Sequence, residues 1–206
     1  DLRNYFLEQA FPIRGTARFL KKLEDAAAGN GSFMAKPELD NVIRKTPMLF
    51  SNGSYLYPSL SFEAVRLYEN DIPIVKHNEK FSQFSFETVF NIIVGSKIIP
   101  LDINGEIWIH FADNYKQRYV PAYQILDDNY RNQLQAKLND KIVYIASSAE
   151  GLKDLRATPL GLLPGVEIHA NATEQILNKQ FLTRPLILKE IENYYILVCG
   201  LLFIIL

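Results

Sequence analysis

Cysteine is almost missing from this chain: a single residue, Cys199, lies in the last apolar run. That excludes a disulfide framework and a thiolate metal site, and a core of this length needs no such staples. Neither sign of charge is in excess. Lys and Arg number 22 against 23 Asp and Glu, for a net charge of -1, so nothing in the balance calls for a nucleic-acid partner. The short basic group Arg14, Arg18, Lys21 and Lys22 runs straight into Glu24 and Asp25 and reads as a solvated face. Phosphate-cradling patterns are also lacking, with no Walker loop and no Gly-x-Gly-x-x-Gly. Ser147-Ser148 follows an apolar run without the Gly-x-Ser-x-Gly of a nucleophile turn. Nucleotide chemistry and acyl transfer thus have no signature here, and neither an enzyme nor a cofactor is expected.

What is present is apolar and aromatic. A hydrophobic fraction of 48% with 12% aromatics supports a sizeable core and argues against disorder. The pattern predicts an α/β domain: a mixed sheet with hairpins and flanking helices. Helix is expected within residues 6 to 28, most securely over Arg18 to Ala28, ended by Gly29-Asn30-Gly31. Short strands are expected over Ser32 to Lys36 and Val42 to Phe50. Ser51-Asn-Gly-Ser54 is a hairpin turn, and Pro58-Ser59 opens a helix with Leu60, Ala64 and Leu67 on one face. Asn70 to Ser85 reads as a loop, and Phe86 to Val94 is open between helix and strand. Lys97 to Leu101 and Glu106 to Phe111 flank Asp102 to Gly105 as a second hairpin, leaving His110 on its less buried face. Helices follow at Ala122 to Leu126 and Arg131 to Leu138. Sequons stand at Asn30, Asn52 and Asn171, and carry weight only in a secreted eukaryotic protein.

The stretch from Lys141 to Asn171 is where a site is expected. Ile142 to Ala146 is apolar and β-branched, as in a strand buried on both faces, and Ser147 to Gly151 breaks it with small polar residues. A strand running into a polar loop is where open α/β sheets place their ligand crevice. The candidate ligand-binding or signature residues are Ser147, Ser148, Asp154, Arg156, Thr158, Glu167, His169 and Asn171. Asp154, Glu167 and His169 are available to a metal, but Glu167 and His169 are two apart on the presumed helix and point to different faces. Scaffold roles compete: Asp154 and Thr158 can satisfy backbone amides of a long loop, and Glu167 and Asn171, one turn apart, can bond each other.

Both ends look cut. The chain starts at Asp1 without methionine and closes on Tyr194 to Leu206, an uncharged run shorter than the ~20 residues of a spanning helix. Paired tyrosines after Lys189 to Glu192 look like an interfacial belt. Residues 194–206 are therefore expected to be the start of a truncated transmembrane helix, with residues 1–190 an extracytoplasmic domain.

Gly151-Leu-Lys-Asp-Leu-Arg-Ala-Thr-Pro-Leu160, followed by Pro164-Gly-Val-Glu-Ile-His-Ala-Asn171, resembles the hallmark of the type-two CHASE domain, the cyclase/histidine kinase-associated sensory extracellular domain. Further matches are Ala26 to Phe33 with Pro37 and Asp40 to Arg44, Pro47-Met-Leu49, Leu56 to Leu60, Pro100 to Gly105, Lys141 to Ile145 and Leu182 to Pro185. The resemblance covers residues 20 to 206. It departs from the family in lacking a first strand-helix unit, in a longer loop from Asn70 to Ser85, and at Asn41, where glycine is common. It implies the C-terminal portion of a sensor facing the periplasm from the inner membrane of a bacterial signal-transduction protein. The output would be a cytoplasmic adenylate or guanylate cyclase or a histidine kinase. It further implies a small-molecule or envelope signal, membrane attachment through a C-terminal span, and a homodimer through the full-length protein. The competing reading is a non-sensing cell-envelope anchoring domain.

Overall fold

The computed structural model describes residues 7–8, 10–77, 90–112, 115–147, 154–184 and 187–205. The first half holds β1 (Phe11–Pro12), α1 (Lys21–Glu24), β2 (Lys45–Pro47), β3 (Leu49–Ser51), β4 (Leu56–Pro58), α2 (Leu60–Glu69), β5 (Ile74–His77) and β6 (Phe90–Val94). The second holds β7 (Lys97–Leu101), β8 (Glu106–Trp108), α3 (Ala122–Ile125), α4 (Arg131–Leu138), β9 (Leu155–Thr158), β10 (Gly161–Pro164), α5 (Gly165–Leu177) and α6 (Ile187–Ile205).

The α/β class is observed, but among the described residues the strands divide among four small sheets instead of one mixed sheet. β3 pairs antiparallel with β4 and parallel with β1. The β3–β4 turn forms as expected: Asn52 Oδ1 accepts from the N–H of Ser54 and of Tyr55 at 3.0 and 2.8 Å, and Gly53 takes a φ of 85°, which glycine reaches without a Cβ clash. β5, β6 and β7 form an antiparallel meander, which settles Phe90–Val94 as strand and places a strand inside the expected loop. From residue 78 to 89 that loop, with part of the ambiguous segment, lies outside the described residues. Asp102 to Gly105 does turn the chain, Asp102 Oδ1 accepting from the N–H of Asn104 and Glu106 at 2.9 and 3.0 Å. Yet β8 then pairs with β2 and not with β7, so the second hairpin is a corner between sheets. Asn41 has a φ of 63°. The site where the family favours glycine is thus left-handed, and asparagine is among the side chains that tolerate it best.

Several expectations fail for want of tertiary partners. Residues 6 to 28 do not form one helix. Among the described residues only Leu7 and Glu8 and the single turn of α1 are helical, and α1 buries no side chain. Ser32 to Lys36 contributes one bridge, Ser32 to Ser59, instead of a strand. α2 is capped by Ser59, whose Oγ accepts from the Phe62 N–H at 3.2 Å. It buries Phe62 and Val65 and leaves Leu67 exposed, which rotates its inner face away from the expected Leu60, Ala64 and Leu67. Lys141 to Ala146 is no strand, and Val143 and Ile145 are 50% and 94% exposed. The strand on which the expected crevice rests is therefore not present, and residues 148–153 of its loop lie outside the described residues. In its place β9 and β10 make an antiparallel hairpin leading into α5.

The core gathers Met48, Leu49, Phe62, Val65, Phe90, Ile92, Ile99 and Leu101 around Ala172 and Ile176 of α5. A second cluster joins Ile43 and Ile109 to Ile168 of the same helix. α5 is thus the axis on which both clusters meet. α6 is helical, but among the described residues no helix is long and apolar enough to cross a membrane. The expected start of a transmembrane helix is accordingly not supported. Lys189, Glu190 and Glu192 stand among the nineteen residues of α6, and charged positions of this kind are costly inside a span.

Candidate functional site

α5 begins at Pro164-Gly165, where a Pro-fixed extended residue turns into the helix. The Gly165 N–H donates to the Asp154 carbonyl at 2.7 Å. A Cβ on Gly165 would stand 2.6 Å from Asp154 Oδ1, so the carboxylate lies directly against the helix entry. The Asp154 carboxylate therefore sits at the start of α5, where the partial positive charge of the unpaired N–H groups favours it. Arg156 faces it at 3.5 Å, and both side chains are substantially exposed.

What α5 turns inward is polar to an unusual degree. Glu167, His169 and Asn171 are 4%, 2% and 1% exposed, and Thr173 and Gln175 are equally buried. Glu167, Asn171 and Gln175 follow one another at a spacing of four and share a face. Gln175 accepts from the His110 N–H at 2.7 Å and donates to the Trp108 carbonyl at 2.8 Å. Asn171 accepts from the Ala112 N–H at 3.0 Å and donates to the Glu167 carbonyl at 2.7 Å, with Glu167 Oε2 3.1 Å away. N–H groups two apart on an extended chain lie on the same side, about 6.6 Å apart, close to the rise between helix residues four apart. The two amide side chains therefore replace the strand that residues 108–112 lack on that edge. The other edge is held by β2, continued by the Ile109 N–H to the Arg44 carbonyl at 2.9 Å.

His169 reaches a different segment. Its Nε2 lies 3.0 Å from the Phe33 carbonyl. A carbonyl only accepts, so the proton is on Nε2 and Nδ1 is bare. Among the described residues Nδ1, which is buried, has no hydrogen-bond partner. Burial pushes the imidazole below its ordinary value, against the Phe33 bond and the charge of Asp154. Thr173 Oγ1 donates to the Ser61 carbonyl at 3.3 Å, which leaves the Tyr144 hydroxyl to donate to Thr173 Oγ1 at 2.6 Å. This ties the exposed 141–147 segment to α5, and burial raises the Tyr144 hydroxyl above its usual value. Thr158 Oγ1 donates to the Gly161 carbonyl at 2.8 Å and accepts from the Leu160 N–H at 3.3 Å, closing the β9–β10 turn.

Of the sequence-predicted residues, the fold brings Asp154 and Arg156 together, and Glu167 and Asn171 together. His169 is joined to both groups through α5, while Thr158 closes its own turn. Ser147 is exposed, and Ser148 lies outside the described residues. Asn171 is buried and bonded, which removes its sequon as a modification site. The helix presents no reactive side chain to solvent, and no group among the described residues could hold a metal ion. Chemically the arrangement binds chain segments to one another. Sequence reasoning missed Thr173, Gln175 and Tyr144. The series Glu167, Asn171, Gln175, with its period of four, is the signal that would have revealed the first of these faces.

No curated protein and no solved structure matches this chain. The CHASE2 domain model does match it, over residues 3–206. That span takes in the β9–β10 hairpin and the whole polar face of α5. The chain belongs to the CHASE2 domain family, which consists of sensory extracellular domains of signalling proteins.

Proposed function

We propose that this chain is the extracytoplasmic sensory domain of a membrane-bound signalling protein, itself without catalysis, and that its conformation sets the activity of a cytoplasmic cyclase or histidine kinase. The observation that carries this reading is the family match over residues 3–206. The geometry of α5 supports it with a route for the signal. The helix is clamped by the β9–β10 hairpin, by residues 108–112 and by Phe33. The chain leaving it bridges to Trp108 at Leu182 before entering α6. A shift of α5 is passed along that connection. A signal moves the balance only by its difference in affinity for the two arrangements.

The test uses the full-length protein in membranes, measuring cyclic-nucleotide synthesis and autophosphorylation. Deleting residues 20–182 is expected to change the output or abolish its response to external conditions. Deletion that changes location and leaves regulation intact makes the domain an anchor and ends the sensory reading.

A further inference from the structure

On one helix, four side chains reach across to backbone groups of other segments, and three of them, Asn171, Thr173 and Gln175, do so with groups that do not titrate near neutral pH. At the fourth position stands an imidazole. His169 is 2% exposed, uses Nε2 on the Phe33 carbonyl, and has a buried Nδ1 with no partner among the described residues. Protonation would put a second N–H where no acceptor stands, which costs the full desolvation of that donor. The charged groups around α5 are largely engaged elsewhere. From α2, Glu63 is held by Arg66 at 2.7 Å and Glu69 lies 3.8 Å from Lys97 of β7. On α5 itself Glu167 takes Asn171 and Glu174 takes Arg118. β10 carries no ionisable side chain. Next to Phe33, Lys36 lies over the Phe11 ring. Behind Ile43, Arg44 is taken by Glu38 and Asp40. Asp154 is the carboxylate whose charge acts on the imidazole, and it is shared with Arg156.

The segment that His169 holds has little apolar anchorage of its own. Phe33 and Met34 are exposed, and Gly31 lies close against the Leu60 backbone. Its other ties are the Ser32 N–H to the Pro58 carbonyl at 2.9 Å and the Leu60 N–H to the Ser32 carbonyl at 2.7 Å. We infer that His169 is a proton-operated latch: neutral, it holds residues 31–34 against α5, and proton uptake at the imidazole releases them. Release frees the N-terminal end of α2, which packs on α5, so one proton changes the clamp on the central helix. The latch is a property of the fold; naming protons as the signal rests on the sensory reading above.

Hydrogen-exchange protection of the Ser32 and Leu60 amides in the 206-residue chain, followed from pH 7.5 to 5, tests it. Protection is expected to fall once the pH drops below the ordinary histidine value of about 6.5, by up to about tenfold per pH unit until the folded value is reached. In His169→Gln, whose amide can donate to the Phe33 carbonyl without titrating, it should stay flat. An equal fall in His169→Gln, or flat protection in the wild type, overturns the latch. Should that variant not fold, the imidazole 15N shifts of the wild type decide. A midpoint below that of an unfolded peptide upholds the latch, and one at or above it overturns it. If the amides titrate while domain deletion leaves the full-length output unaltered, the latch stands and the sensory reading falls. The opposite pair of results rejects the latch alone.

Discussion

Asn171 and Gln175 show how a single side chain can stand in for a strand. Each bonds part-buried backbone groups of residues 108–112 that face α5. Replacing either with leucine keeps the size of the side chain and leaves those groups unsatisfied, a cost of about 1–3 kcal/mol. Urea midpoints should fall accordingly for Asn171→Leu and Gln175→Leu, and an unchanged midpoint would show that water reaches the abandoned N–H groups. Gly31 is the counterpart where space decides. A Cβ there would stand 2.6 Å from the Leu60 Cα, and backbone cannot give way as a side-chain tip can. Gly31→Ala is therefore expected to cost about 1–3 kcal/mol, in the range of overpacking. The same thermal or urea melts read it. Stability within a few tenths of wild type would mean that residues 29–34 are not docked on α2 as described.

At the level of elements, the β9–β10 hairpin separates a strong tie from a weak one. Thr158 Oγ1 makes both hydrogen bonds that close the turn and is 5% exposed. Thr158→Val should cost about 1 kcal/mol. Arg156→Ala, which removes an exposed ion pair with Asp154, should cost about 0.5 kcal/mol or less. Chemical denaturation of the two variants side by side checks the order, and equal losses would contradict it. The elements also differ in how far they could be read beforehand. The turn at Asn52-Gly53, the cap at Ser59 and the entry to α5 at Pro164-Gly165 are local devices, so their residues announced them. Ile142 to Ala146 looked buried because its composition suits a strand, but whether a strand forms depends on a partner elsewhere in the chain, and among the described residues none pairs with it. β8 left β7 for β2 for the same reason: turn chemistry sets a corner, while pairing is decided by distant segments. The buried polar face of α5 was half legible. Glu167 and Asn171 were seen as a possible pair, but the Ala112 N–H that needs Asn171 belongs to a segment over fifty positions away.

For the whole molecule, stability against acid follows from groups whose proton affinity changes on folding. His169 is pushed down by burial, so the folded chain binds fewer protons there than the unfolded chain. Its contribution is intact above the unfolded value of about 6.5 and is lost as pH falls from there to the folded value, at about 1.4 kcal/mol per pH unit. Asp40 is also lowered, to about 2, by its hydrogen bonds from Arg44. Its share begins to go only as pH falls below about 3.9, and it is small because the pair is exposed. Glu106 opposes both. Burial, with Asp102 nearby, raises its carboxyl, so proton uptake there relieves a cost as the pH falls through the folded value. Below about pH 6.5 the loss at His169 and the relief at Glu106 run in opposite directions, so the comparison with a non-titrating variant isolates the histidine's share. His169→Gln should be less stable than or equal to the wild type at pH 7.5 yet lose less on acidification, so the two curves converge. Calorimetry at half-unit steps reads this directly. Parallel curves would assign the acid loss to carboxylates and remove His169 from the account.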